Sequence, residues 1–285
     1  MIKLIVSDMD GTLLSKKGEI SEGNTKAILE ARNLGAKLVI ATGRDYSGVD
    51  EILKRRNLSY SAILGNGAQY MDENKNMIKT AYLNKHLLPE ILKVFDDLKI
   101  HYMIFTTKGF YCTKEPEVVC QAFIERGMKR FKRTREEMVN RDAKMPCLNL
   151  VKIDNLNDFL TRDLELIKVE AFHVDEGLIE QAKKQLSSIE GIAYLSSYPD
   201  NVEVTDIKAQ KGYILESVIT DLGIKKEEVM VLGDGLNDLT LFECFPYSYA
   251  MGNAVDEIKK MAYKVVCDHD LDGVAQAIYD QIKSR

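Results

Sequence analysis

Apolar residues fall along the first part of the chain in short continuous runs, with helical spacings between them. Residues 3–7 (KLIVS) and 37–41 (KLVIA) form two such runs, and Ala62-Ile63-Leu64 forms a third. Each is closed by Gly, Thr or acidic residues, which marks a buried strand ending in a turn. After Ser21, a natural N-cap, Ile28, Leu29, Ala31 and Leu34 keep helical spacing as far as Gly35. A second helix is predicted from about Tyr46 to Arg56. Strands that are apolar throughout, with helices between them, predict a parallel sheet covered on both faces.

The pattern changes after Gly65-Asn66-Gly67. Residues 70–82 read as paired strands about a polar turn, Asp72 to Asn76. From about Asn84 to Ser196 helices and strands still alternate, but the strands (101–106, 110–113, 148–153) are amphipathic, as in a sheet with one face exposed or helix-covered. The opening pattern returns near Val202. A helix over 209–222 leads to the buried run Val229–Leu232 (VMVL), then a short helix over 236–244. Short strands at 247–251 and 264–266 and a helix over 271–282 close the chain. The expected fold class is α/β: a Rossmann-like parallel-sheet core with helices on both faces, built from residues 1–83 and 198–285, with an α+β domain inserted over 84–197.

The length of 285 residues suits one large or two smaller domains, and 45% hydrophobic with 29% charged residues is ordinary for a globular protein. A net charge of −5 argues against sequence-independent binding of nucleic acid, which relies on Lys and Arg. The five Cys (112, 120, 147, 244 and 267) are odd in number and contain no CxxC pair, so free thiols in a reducing cytoplasm are expected. The N-terminal apolar run is too short for a signal peptide, and no stretch approaches the roughly 20 apolar residues of a membrane span. A soluble cytoplasmic protein is expected.

The strongest chemical signal is Asp8-Met9-Asp10-Gly11-Thr12. Side chains at i and i+2 of a strand share a side, so Asp8 and Asp10 can work together at the carboxyl end of the first strand, where open α/β sheets place ligands. One acid can act as a nucleophile while the other exchanges protons. A solvated acidic turn is the alternative for the pair alone. Other strand ends can complete a site. Thr42-Gly43-Arg44 offers a hydroxyl and backbone N–H groups to phosphate oxygens; Arg44 could reach substrate or form a surface ion pair. Lys211-Gly212 opens a helix, where a cation is misplaced against the dipole unless it neutralises an anion. Lys208 competes for that role, and position does not decide between them. In Gly233-Asp234-Gly235-Leu236-Asn237-Asp238, Asp234 can supply a hard oxygen ligand suited to magnesium. Asn237 and Asp238 sit in the first turn of the next helix, where simple capping is also open to Asp238.

In this order the four segments resemble the haloacid dehalogenase-like hydrolase superfamily. The large insertion after the third strand resembles the type IIB cap of its Cof-type phosphatases, as does the stretch from Glu203 to Gly212. Met251-Gly252-Asn253-Ala254 and Asp272-Gly273-Val274-Ala275 are similar to recurring segments of the same proteins. The resemblance implies Asp8 as nucleophile and Asp10 as general acid and base. It implies Mg²⁺ held by Asp8, Asp234 and the backbone carbonyl of Asp10. It also implies a phosphoryl group held by the Met9 backbone, Thr42, Gly43, Lys211 and Asn237, with Asp238 supporting the metal waters. Between the two lysines it selects Lys211. The implied activity is hydrolysis of small phosphate esters through an aspartyl phosphate, with sugar phosphates the first expectation for substrate. From charge and hydropathy no nucleic-acid or membrane partner is expected, and a monomer or weak dimer is the expected state. A cap would close over the site and touch the leaving group.

Two rivals remain. A sugar phosphomutase would use the same intermediate and return the phosphoryl group to a sugar. A phosphate-sensing or acyl-phosphate signalling module would not turn over, although such modules are short and lack a large insertion. The basic cluster Lys129, Arg130, Lys132, Arg133 and Arg135 either recognises a second anionic group or is a solvated helix end; charge runs favour the latter.

Overall fold

The computed structural model describes residues 1–141 and 145–283. The chain divides into two compact units: residues 1–81 with 208–285, and residues 82–207 between them. The first unit opens with β1 (Leu4–Ser7), α1 (Glu22–Asn33), β2 (Lys37–Ala41), α2 (Tyr46–Arg55), β3 (Ser61–Leu64), β4 (Gln69–Met71) and β5 (Met77–Thr80). In the second unit follow α3 (Leu88–Asp97), β6 (His101–Thr106), β7 (Gly109–Cys112), α4 (Pro116–Phe131) and α5 (Arg135–Arg141). That unit continues with β8 (Leu150–Lys152), α6 (Leu156–Leu160), β9 (Leu166–Phe172), α7 (Glu176–Leu186), β10 (Ile192–Leu195) and β11 (Asn201–Asp206). The first unit then resumes with α8 (Lys211–Asp221), β12 (Val229–Gly233), α9 (Leu239–Cys244), β13 (Tyr247–Ala250), α10 (Asp256–Met261), β14 (Lys264–Val265) and α11 (Gly273–Lys283).

The first unit is an eight-stranded sheet in the order β14-β13-β12-β1-β2-β3-β4-β5. It is parallel from β14 to β3, and β4 and β5 extend it antiparallel. The strand alternation sorts its residues to two faces. Leu4, Val6, Val39 and Val231 pack with Leu215 and Ile219 of α8 and Leu241 of α9. Ile5, Leu38, Ile40 and Met230 pack with Ile28 of α1, Leu53 of α2 and Ile278 of α11. Continuous apolar runs are therefore required here, because neither face meets water. The sequence-expected turn between β4 and β5 is closed by the Asn76 N–H donating to Asp72 Oδ1 at 2.8 Å.

The second unit is a six-stranded sheet in the order β10-β11-β9-β6-β7-β8, antiparallel except for the β7–β8 pair. Tyr102, Ile104, Val169 and Val204 face α3 and α7, while Met103, Phe105 and Phe172 pack with Val119 and Ile124 of α4. Two boundaries expected from sequence move. The return to the first unit was placed at 198, but β11 pairs antiparallel with both β9 and β10. Its residues alternate apolar and polar, as an antiparallel strand does. The polar members Asn201, Glu203 and Thr205 are buried, so the strand resembles a fully buried one: Glu203 is 4% exposed and pairs with buried Lys168. The first crossing falls at Tyr82, two residues before the expected Asn84.

The basic cluster is not one solvated run. Lys129, Lys132 and Arg135 are exposed. Arg130 bonds Asp200 at 3.3 Å and lies 4.0 Å from the centre of the Tyr198 ring, and Arg133 lies 5.6 Å from that of Phe131.

Close backbone approach fixes where α8 begins. An ideal Cβ on Gly212 would lie 2.2 Å from the Thr240 carbonyl oxygen, and one on Gly67 would lie 2.6 Å from the Gln210 backbone. Both neighbours are main chain and cannot rotate away. Gly212→Ala is therefore expected to destabilise the protein by roughly 1–3 kcal/mol or more. Urea unfolding measures this; an unchanged midpoint would show that α8 and α9 do not meet so closely.

Candidate active site

Parallel register brings the loops together. Ser7 lies opposite both Leu232 and Ile40, and Ala41 lies opposite Ile63. The loops that follow β1, β2, β3 and β12 consequently leave the same edge of the sheet. Asp8 follows directly on β1 and its N–H donates to Leu232 O at 3.0 Å. Gly11, at φ +85°, turns the chain back so that Leu13 N–H and Leu14 N–H donate to the carbonyls of Asp8 and Met9.

The centre of the site is an ammonium group. Lys211, the first residue of α8, has no solvent exposure, and its Nζ lies 2.6 Å from Asp8 Oδ1 and 2.6 Å from Asp238 Oδ1. The other oxygen of Asp238 accepts the N–H groups of Asp234 at 2.9 Å and Gly235 at 3.1 Å. Asp238 thus caps its own loop, as one sequence reading allowed, and anchors the lysine as well. Lys208 is exposed. Asp234 is held by Thr12, whose hydroxyl donates to Oδ1 at 2.7 Å.

Burial raises the Asp8 carboxyl well above the ordinary carboxylate value, Lys211 opposes that rise, and the charges of Asp238 and Asp234 add to it. Burial and the neighbouring Asp238 push Asp234 up to about 7, against the pull of Thr12 and Lys211. For Lys211 burial acts downward, yet the two carboxylates prevail and hold it more basic than usual. Ligand oxygens of Asp8, Asp234 and Asp238 all lie within 4.8 Å of one another. One ammonium cannot neutralise three clustered carboxylates, two of them buried. The excess negative charge and the all-oxygen donor set fit a hard divalent cation. With Asp238 bonded to Lys211 and two N–H groups, Asp8 and Asp234 have the freer donors.

Asp10 differs from the alternation argument. β1 ends at Ser7, so strand periodicity does not govern residues 8–10. Asp8 turns to Lys211, whereas Asp10 is exposed and takes a two-pronged bond from Arg44, Nε and Nη2 each at 2.7 Å. Thr42 is buried and its hydroxyl accepts the Arg44 N–H at 3.2 Å. Gly43 lies against Asn66, whose amide an ideal Cβ would approach to 3.1 Å. Asn237 Nδ2 donates to Asn66 Oδ1 at 3.3 Å. Among the residues that the sequence had marked, Asp8, Asp234, Asp238 and Lys211 are in direct contact or within a few ångströms, and Thr42, Gly43 and Asn237 are linked through Asn66. Sequence reasoning assigned no role to Asn66, buried at φ 59°, or to Thr12. The left-handed Asn between two glycines was the available signal for the former.

Residues 5–278 match the haloacid dehalogenase-like hydrolase family. The chain belongs to that family. It is 26% identical to phosphatase YwpJ of Bacillus subtilis over 96% of this chain and 98% of that protein. It is 27% identical to the 5-amino-6-(5-phospho-D-ribitylamino)uracil phosphatase YcsE of the same organism, covering 97% of this chain and 94% of that one. The solved structure of a haloacid dehalogenase-like hydrolase from B. subtilis superposes with a TM-score of 0.84 at 26% identity, over 97% of this chain and 99% of that chain. This hydrolase is a phosphatase. Among the described residues no helix is long and apolar enough to cross a membrane.

The raised value of Asp234 makes stability depend on pH when no metal is bound. Its folded value of about 7 lies above the ordinary 3.8, so the folded state holds this proton more tightly than the unfolded state. The contribution is therefore largest near pH 4 and is lost as pH rises through about 7. In chelator, the wild-type melting temperature is expected to rise relative to that of Asp234→Asn as pH falls from 7.5 to 5. Parallel profiles of the two proteins would refute the assignment.

Proposed function

We propose that this phosphatase hydrolyses small phosphate monoesters, phosphorylated sugars or sugar alcohols first, with Mg²⁺ as cofactor and Asp8 as the residue that carries the phosphoryl group. The observation that supports this most directly is the buried Lys211 ammonium, 2.6 Å from Asp8 and 2.6 Å from Asp238, with Asp234 alongside. The preference for a phosphorylated polyol is supported by the relative YcsE, whose named substrate carries a phosphorylated ribityl chain.

A carboxylate oxygen of Asp8 attacks phosphorus, and the bond from phosphorus to the ester oxygen breaks. Asp10, once it parts from Arg44 and takes up a proton from water at its exposed position, gives that proton to the departing oxygen. Asp10 then takes a proton from the water that attacks the phosphorus of the aspartyl phosphate, and inorganic phosphate leaves with Asp8 restored. Lys211, the Met9 and Gly43 backbone N–H groups, the Thr42 hydroxyl and Asn237 hold the phosphoryl oxygens, and Asp238 keeps Lys211 in place. Asp8, Asp234 and the Asp10 carbonyl would hold Mg²⁺, which would supply charge neutralisation at the phosphoryl oxygens. Such transfer depends on positioning and electrostatics more than on covalent assistance.

Asp8→Asn should lower phosphate release by roughly 10⁴-fold or more, the scale seen when a nucleophile is removed. A screen of phosphate esters with Mg²⁺, repeated with chelator, should give release only in the first arm. A near-normal rate for the Asn variant would rule out the nucleophile. Isomerised sugar phosphate in place of free phosphate would favour a mutase, and a stable phosphoenzyme without release would favour a sensing module.

A further inference from the structure

The segment Met251-Gly252-Asn253-Ala254 has no part in the chemistry above. Yet the exposed Asn253 side chain reaches into the site from the turn after β13. Its Nδ2 donates to Gly11 O at 2.8 Å and lies 3.4 Å from Asp234 Oδ2, while its Oδ1 accepts the His269 N–H at 3.1 Å. We infer that Asn253 is a positioning residue for Asp234, and that the affinity of the site for a divalent cation depends on it. The inference rests on the proposed role of Asp234 as a metal ligand.

The orientation of the amide follows from its partners. The His269 N–H can only donate, so it must meet the oxygen. The NH₂ group is then left facing two acceptors, the Gly11 carbonyl and the Asp234 carboxylate. Asp234 is thereby gripped at both oxygens, Oδ1 by Thr12 at 2.7 Å and Oδ2 by Asn253. Rotation of the carboxylate breaks one grip or the other. Gly11 presses on the same group, because an ideal Cβ there would lie 2.3 Å from Asp234 Oδ2. By holding the Gly11 carbonyl, Asn253 also fixes the loop that follows Asp10.

The anchorage of Asn253 is itself secured. His269 Nδ1 meets Leu14 O at 2.6 Å, Lys16 pairs with Asp270 at 3.0 Å, and Ser21 bonds Asp272 at 2.5 Å. These contacts bind the turn after β14 to the loop after β1, and Asn253 stands where the two meet Asp234. Groups that orient a metal ligand act on affinity in the range of about 10–100-fold.

The test is calorimetric titration of the full chain with Mg²⁺ in the absence of substrate. Asn253→Ala should raise the dissociation constant about 10–100-fold. Since the side chain is exposed, the melting temperature of the variant in chelator should stay within about 2 °C of wild type. Turnover should recover when Mg²⁺ saturates the variant. Asp234→Asn in the same titration should abolish binding. If it does so while Asn253→Ala keeps the wild-type constant, or loses several degrees of melting temperature without a change in affinity, the positioning role is overturned. If Asp234→Asn itself binds Mg²⁺ like wild type, the metal assignment in the proposed function fails, whatever Asn253 does.

Discussion

A charged amine with no solvent exposure, wedged between two carboxylates, is the constraint on which the first unit depends. Removing Lys211 from water costs several kcal/mol, and only closely placed opposite charges offset that cost. Asp8 and Asp238 supply them, but in doing so they bring two negative groups into the same dry space beside a third, Asp234. Burial first, and then that crowding, displaces Asp8 and Asp234 upward: proton uptake there removes a charge held away from water and relieves repulsion that one ammonium leaves behind. A site under such tension accepts added positive charge readily, whether as a proton or as a divalent cation.

That arrangement demands precise placement of a helix start against a strand end. Parallel pairing of β1 with β2 and β12 sets the acidic loops side by side, and the register leaves no freedom to slide without turning every apolar side chain to the wrong face. Lys211 must then be carried into the gap from α8. Gly67 and Gly212 allow this, since a methyl group at either position would strike main chain at Gln210 or Thr240. The Gly after the lysine is thus a packing requirement, separate from anything the lysine does.

Much of this was legible from pattern. The KLIVS, KLVIA and VMVL runs declare buried parallel strands because both faces of the sheet are covered, and the Ser21 cap marks α1 through its bond to Asn24 N–H. Legibility failed where local rules did not apply. β11 was assigned to the wrong unit because its buried Glu203 hides behind Lys168, a pairing 35 residues apart in sequence. Alternation was applied to Asp8 and Asp10 although β1 had already ended. The choice between Lys208 and Lys211 required knowing that a carboxylate 27 residues onward, Asp238, stands ready to receive one of them. The Arg44–Asp10 pair and the bonds of Asn253 are likewise meetings of distant segments that no spacing announces.

The contrast between the two N-terminal acids has a physical logic of its own. Asp8 is enclosed and held by a lysine that cannot move without exposing three carboxylates to one another. Asp10 is 42% exposed at its side chain and held by Arg44 at a site that water reaches. An ion pair in contact with water is worth little, of order 1 kcal/mol, so it can open at small cost. In the proposed mechanism Asp10 delivers a proton and then accepts one, which needs that freedom, whereas Asp8 faces phosphorus at one angle, which does not. The two acids lie only a residue apart in chain direction, yet the end of β1 and the turn at Gly11 send them into opposite environments, one rigid and one exchangeable.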